Sequence, residues 1–153
     1  MGALKDQLKT DLVAAMKAHD EAAKSNLRMA IAAIGTEEVA GASARELTDA
    51  EELAVVTKEV SKRRDSAEAY TQGNRPELAA KETAEAEFLA KYLPAPLSSE
   101  ELQQIVDEEI AAATADAEKS PRLMGQVIKA VNARANGRAD GKTVAGLVKA
   151  ALA

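Results

Sequence analysis

Leu4, Leu8, Leu12 and Met16 recur every four residues, with Ala15 beside them. That spacing draws one apolar stripe along a helix over about 3–18. Asp20 can cap a second helix whose face is Leu27, Ala30, Ile31 and Ile34. Gly35 and Gly41 weaken the end of that helix, and 40–47 reads as a loop. Thr48 and Glu51 stand three apart as a capping box, opening a third helix with the stripe Leu53, Val56, Val60, Ala67 and Tyr70. Gly73 is expected at its C′ position, and Asn74 as the cap of a fourth helix that takes Pro76 in its first turn and reaches Tyr92.

Pro94 and Pro96 interrupt the pattern, since neither can sit inside a helix and each pushes its predecessor towards extended backbone. Beyond them Ser98 with Glu101 opens a fifth helix to about 115. Ser120-Pro121 opens a sixth through Val131, 132–139 reads as a polar loop, and Asp140 caps a last helix with the stripe Val144, Leu147, Val148 and Leu152. The expected fold is all-α: an N-terminal antiparallel helical bundle over 1–93, a Pro-containing linker, and a small C-terminal three-helix module over 94–153. The Ala-rich composition, with Tyr70, Phe88 and Tyr92 as its aromatic residues, suits close-packed helices and suits strands poorly.

The 153 residues contain no Cys, which removes disulfides, thiolate metal sites and cysteine nucleophiles and fits a reducing compartment. No apolar run reaches the roughly 18–20 residues that cross a bilayer. The first residues alternate charge with apolar side chains instead of forming a signal-peptide core, and Asp6 stands where a myristoylation motif wants Ser or Thr. A cytoplasmic protein with no membrane association is expected.

The net charge is −5, but from Lys119 onward seven basic residues face the single acid Asp140. That segment carries +6 and the rest −11. A chain polarised in this way can offer a basic face to a polyanion while remaining acidic overall.

Chemistry for catalysis is sparse. His19, the one histidine, stands at a helix end, where a structural role is expected. Adjacent carboxylates such as Glu51-Glu52 and Glu108-Glu109 diverge by about 100° on a helix and serve first turns or solvated faces. No Gly-rich phosphate loop, nucleophile–base set or metal-ligand spacing is present, so no catalytic residue, metal ligand or cofactor is assigned.

Two basic clusters remain. Lys62, Arg63 and Arg64 lie in the third helix, either paired at i,i+4 with Glu59 and Glu68 or projecting as a partner-binding face. The second is NARANGRADGK at 132–142. Gly137 and Gly141 let backbone N–H groups approach an oxyanion, the last helix presents its positive end, and Arg134, Arg138 and Lys142 add full charges. With no aromatic side chain near it to stack bases, such a site suits phosphate backbone, although a solvated loop has the same composition.

LKTDLVAAMKAHD, LRMAIAAI at 27–34, LTDAEELAVVTKEVSKRRDS at 47–66, GNRPELAAKETAE, YLPAPLSSEELQQIV at 92–106, MGQVIKAV at 124–131 and GRADGKTVAGLVKAAL at 137–152 stand one after another in an order that resembles the GatB/YqeY family, in its stand-alone YqeY-like form. The resemblance covers nearly the whole chain. It implies a helical bundle followed by a module similar to the tail of the B subunit of the tRNA-dependent Asp/Glu amidotransferase, where the tail helps hold the tRNA body. The matching positions make Val127, Val144, Leu147 and Val148 core, Asp140 a cap, and Gly125 a point of close helix approach. They leave Lys129, Arg138 and Lys142 as phosphate contacts. The catalytic body of that amidotransferase has no counterpart here, so a label of carbon–nitrogen ligase with glutamine as amido-N-donor would be inherited through the tail.

The function expected is a non-catalytic accessory of tRNA or other structured RNA, contacting backbone through Lys129, Arg134, Arg138 and Lys142. An adaptor that docks a protein partner of translation through Lys62, Arg63 and Arg64 is the first alternative. An amidotransferase-associated component is the second.

Overall fold

The computed structural model describes residues 2–135 and 137–153. It is all-α, with no strand among the described residues: α1 (Ala3–Lys17), α2 (Glu21–Glu38), α3 (Asp49–Gln72), α4 (Pro76–Ala90), α5 (Ser99–Ala113), a 3₁₀ turn (Pro121–Leu123), α6 (Met124–Ala135) and α7 (Gly141–Leu152). The chain divides into two compact units, the first ending at Leu93 and the second being Pro94–Ala153.

In the first unit α1 and α2 form an antiparallel hairpin, with Lys5 near the start of one pairing to Glu38 at the end of the other. The turn between them uses two residues for two purposes. His19 takes a left-handed backbone (φ 56°), so that the Asp20 N–H reaches back to the Ala15 carbonyl at 3.0 Å and closes α1. The Asp20 side chain then accepts the Ala23 N–H at 3.1 Å and opens α2. His19 is thus a chain-reversing residue. Gly35 does not stop α2, which continues to Glu38 because Ala30 and Ile34 are fully buried on its inner face. Burial of that kind outweighs the roughly 1 kcal/mol that a helical glycine costs.

The capping box Thr48–Glu51 forms as expected, and Arg45 grips the Glu51 carboxylate with both terminal nitrogens at 2.8 and 2.9 Å. That grip, with the Thr48 N–H and hydroxyl, holds the Glu51 carboxyl down at about 2. At the far end of α3 the sequence expectation needs correcting. Asn74, not Gly73, adopts the left-handed conformation (φ 59°), and the Arg75 N–H bonds the Tyr70 carbonyl at 2.8 Å. Asn74 is therefore the C′ residue of α3, and α4 begins after Arg75 with no side-chain cap. Asn tolerates this backbone because its short polar side chain bonds locally.

Leu8, Leu27, Ile34, Val56 and Leu89 form the centre of this unit and are almost wholly shielded from solvent. Each contributes about 1.5–3 kcal/mol of transfer free energy. The inner face of α3 is not the purely apolar stripe that periodicity assigns. Glu52 (1% exposed) and Glu59 are buried on it, while Leu53 is half-buried. Glu52 accepts the Lys5 N–H at 3.2 Å and Asp49 accepts the Ala3 N–H at 2.9 Å, so two carboxylates of α3 cap the start of α1. Gly2 lies so close to them that a Cβ there would overlap the Glu52 carboxylate.

In the second unit α5, α6 and α7 all pack on one another. Their core is Leu102, Val106, Val127, Val131, Val144, Val148 and Leu152, with Leu147 packed against it. Both expected caps form: Ser98 with Glu101 for α5, and Asp140, which accepts the Thr143 N–H at 3.2 Å, for α7. Ser120 caps the 3₁₀ turn rather than a full helix, and α6 runs four residues past the expected Val131, to Ala135. Gly125 is not a point of close helix approach, because nothing lies within 4 Å of where its Cβ would stand.

Candidate nucleic-acid interface

The segment from Lys119 is strongly basic in sequence, but the folded unit is not. Pro94–Ala153 holds seven basic and eight acidic side chains, a net of −1, because α5 contributes Glu100, Glu101, Asp107, Glu108 and Glu109 and the segment after it adds Asp116 and Glu118. That leaves −4 for the first unit. What matters at the surface is therefore which cations α5 neutralises and which it leaves.

Arg134, at the end of α6, is neutralised. It bonds Glu108 at 2.7 Å and Glu109 at 3.2 Å. The two carboxylates raise the guanidinium above its ordinary value, and the Arg134 bond holds the Glu108 carboxyl below the usual range. These side chains are substantially exposed, so the pairs add modestly to stability.

Arg138 is held too, by a carbonyl oxygen rather than an acid. Its Nε donates to the Ala95 carbonyl at 2.7 Å, and its own carbonyl accepts the Leu97 N–H at 2.8 Å. The arginine straps the start of the second unit to the loop before α7. Its charge also helps keep the Glu101 carboxyl low, after the larger effect of the Ser98 cap. Gly137 enters this loop at φ 80°, a conformation that suits glycine. Asn136 lies outside the described residues. The end of α7 expected to receive an oxyanion already holds one, since Asp140 sits on its first turn.

Lys129 and Lys142 are exposed on α6 and α7. Lys129 has no ion-pair partner among the described residues, and the same holds for Arg122 and Lys149. Lys149 was not singled out by the sequence. It escapes attention because it is flanked by Val148 and Ala150 rather than by other charges, and only its i+7 relation to Lys142 marks it. Of the four residues expected to contact backbone, the fold leaves the two lysines outward and gives the two arginines work within the unit.

The cluster on α3 is similarly divided. Lys62 and Arg64 are exposed, Lys62 with an ion pair to Glu59 at 3.3 Å. Arg63 turns inward, 14% exposed, between Glu59 at 3.1 Å and Glu85 of α4 at 3.6 Å, with its Nη2 against the Met29 sulfur of α2. It ties three helices of the bundle together. Among the described residues no group of three or more His, Cys, Asp and Glu is arranged to hold a metal ion, and no helix is long and apolar enough to cross a membrane.

A protein from Clavispora lusitaniae named "Altered inheritance of mitochondria protein 41, mitochondrial" is 36% identical over 101 residues. That alignment covers 65% of this chain and 58% of the relative, so the chain spans less than two thirds of the relative's length. The family model described as "Yqey-like protein" matches residues 5–152, which takes in all four helices of the first unit and all three of the second. The chain belongs to the Yqey-like protein family.

Proposed function

We propose that this chain is a non-catalytic, cytoplasmic accessory of structured RNA, tRNA foremost, whose second unit touches the nucleic-acid backbone through lysines of α6 and α7. The observation that carries this reading is the sorting of cations by α5. That acidic helix absorbs Arg134, while Lys129 remains exposed and unpaired among the described residues, as does Lys149. Phosphate oxygens satisfy such lysines without any further chemistry from the protein. The second unit contains no aromatic side chain, so it has no platform on which a base would stack, and backbone contact is the mode it suits. Similarity to the tail that holds tRNA in the amidotransferase supports the choice of RNA. On this reading, any amidotransferase association would be one of assistance.

Fluorescence anisotropy of labelled tRNA across a salt series tests the reading. Affinity is expected to fall linearly with salt on a log–log plot and to weaken with Lys129→Ala and Lys142→Ala. Absent or salt-independent binding overturns it. The adaptor alternative keeps Lys62 and Arg64, which stand outward on α3. A partner captured despite nuclease and lost with Arg64→Glu would favour it instead.

A further inference from the structure

The first unit ends at Leu93 and the second begins at Pro94. Leu93 is anchored, since its N–H donates to the Ala90 carbonyl at 3.1 Å and its side chain packs against the core of the first unit. The residues that follow have no such support. Pro94, Ala95 and Pro96 are all exposed, so burial does not hold them, and neither proline has an N–H to give. Among the described residues, the hydrogen bonds that hold 94–97 converge on Arg138. Its Nε donates to the Ala95 carbonyl at 2.7 Å, and its carbonyl accepts the Leu97 N–H at 2.8 Å. Leu97 adds a half-buried side chain against the second core, and Ser98 already belongs to the α5 cap.

From this arrangement we propose that Arg138 is a latch on the length of the tether between the two units. With the latch closed, the free connection is Pro94 alone, and its ring fixes φ. With the latch open, the free connection runs over 94–97. Four residues reach about 13–14 Å when extended, about 10 Å more than one residue does. Pro94 and Pro96 bias that stretch towards extended backbone, so opening lengthens the tether rather than coiling it. Two hydrogen bonds with little apolar burial beneath them place the latch among the parts of a fold that open far more often than its core. The inference concerns reach and does not rest on the proposed RNA function.

The chain has no cysteine, so spin labels introduced at Ser25→Cys and Gln126→Cys, both exposed, read one distance in the full chain. Double electron–electron resonance should give a distribution about 1.5-fold wider or more in Arg138→Ala than in the parent, with longer distances newly populated. Arg138→Lys keeps the alkyl stem and the charge but lacks Nε–H, and should widen the distribution in the same direction. It serves as the second variant if Arg138→Ala loosens the fold, which amide protection at Val127 and Val148 in the core reports. Arg134→Ala, which removes an arginine whose ion pairs are with α5, is the control and should leave the width unchanged. An unchanged width in Arg138→Ala and Arg138→Lys overturns the latch. Equal widening in Arg134→Ala overturns it too, because the cause would then be a general loosening of the second unit.

Discussion

The Nε of Arg138 donates to the carbonyl of Ala95, 43 residues earlier, at 2.7 Å. A residue that reads in sequence as a free phosphate ligand is thus also a structural strap. Together with the bond from the Leu97 N–H to its own carbonyl, it fixes the start of the second unit onto the loop before α7. Arg138→Ala is expected to destabilise the second unit by about 1 kcal/mol and to speed amide exchange at Leu97. Arg138→Lys keeps the charge but lacks the fork, so it should show the same faster exchange. Exchange at Leu97 that is unchanged in both variants would show the strap to be energetically idle. Any loss of RNA binding in Arg138→Ala has to be read beside this effect.

Tyr92 closes the first unit in a comparable way, donating its hydroxyl to Asp11 at 2.5 Å while its ring packs near Phe88. Burial, reinforced by the hydrogen bond and charge of Asp11, pushes the phenol well above its ordinary value. The folded state therefore keeps this proton more firmly than the unfolded chain does. The stabilisation is fully present below about pH 10 and is lost as the pH rises beyond that. Tyr92→Phe should lower stability at neutral pH by about 1.5 kcal/mol and flatten the decline above pH 10. Denaturant melts of the two proteins at neutral and alkaline pH, with equal slopes above pH 10, would contradict the assignment.

The helix starts were legible because capping chemistry is local. Thr48 with Glu51, Ser98 with Glu101, Asp20 and Asp140 each bond a backbone group within three residues. The hydrophobic stripes of α2 and α7 were legible for a similar reason, since periodicity alone sets which side turns inward, whereas the α1 stripe holds only as far as Ala15, Met16 at its end being 47% exposed. Glu52, Glu59 and Arg63 were not, because a rule that sends charge to solvent cannot see partners set by packing. Glu52 meets an N–H 47 residues away, and Arg63 meets a carboxylate on α4. The basic tail failed differently. Counting from Lys119 gave +6, but the fold lays the acidic α5 against that segment and, with Asp116 and Glu118, the unit comes to −1.

Arg63 carries a prediction that also bears on the adaptor reading. Its guanidinium compensates Glu59 and Glu85, and all three side chains are more than four-fifths buried. Arg63→Ala leaves Glu85 without its cation and Glu59 with only the exposed Lys62, and should destabilise the first unit by about 3 kcal/mol. Thermal melts of Arg63→Ala and Arg64→Ala separate the two roles, with only the former losing stability. Equal melting temperatures would mean that Arg63 does not tie the helices together. Charge reversal at Arg63 would report on folding, so docking through α3 is better probed at Lys62 and Arg64.

The last prediction separates net charge from available charge. Arg134 and Lys129 each carry one positive charge on α6, and a count along the sequence gives them equal weight. Arg134 is already matched by Glu108 and Glu109, so its phosphate contact would require breaking two bonds at 2.7 and 3.2 Å. Lys129 has no ion pair to break among the described residues. In a titration of tRNA over a salt series, Lys129→Ala should lower the magnitude of the log–log slope by about 1, whereas Arg134→Ala should leave it unchanged. A slope that falls with Arg134→Ala and not with Lys129→Ala would mean that RNA displaces α5 from this arginine. The interface would then lie on the α5–α6 side, away from the lysines of α7.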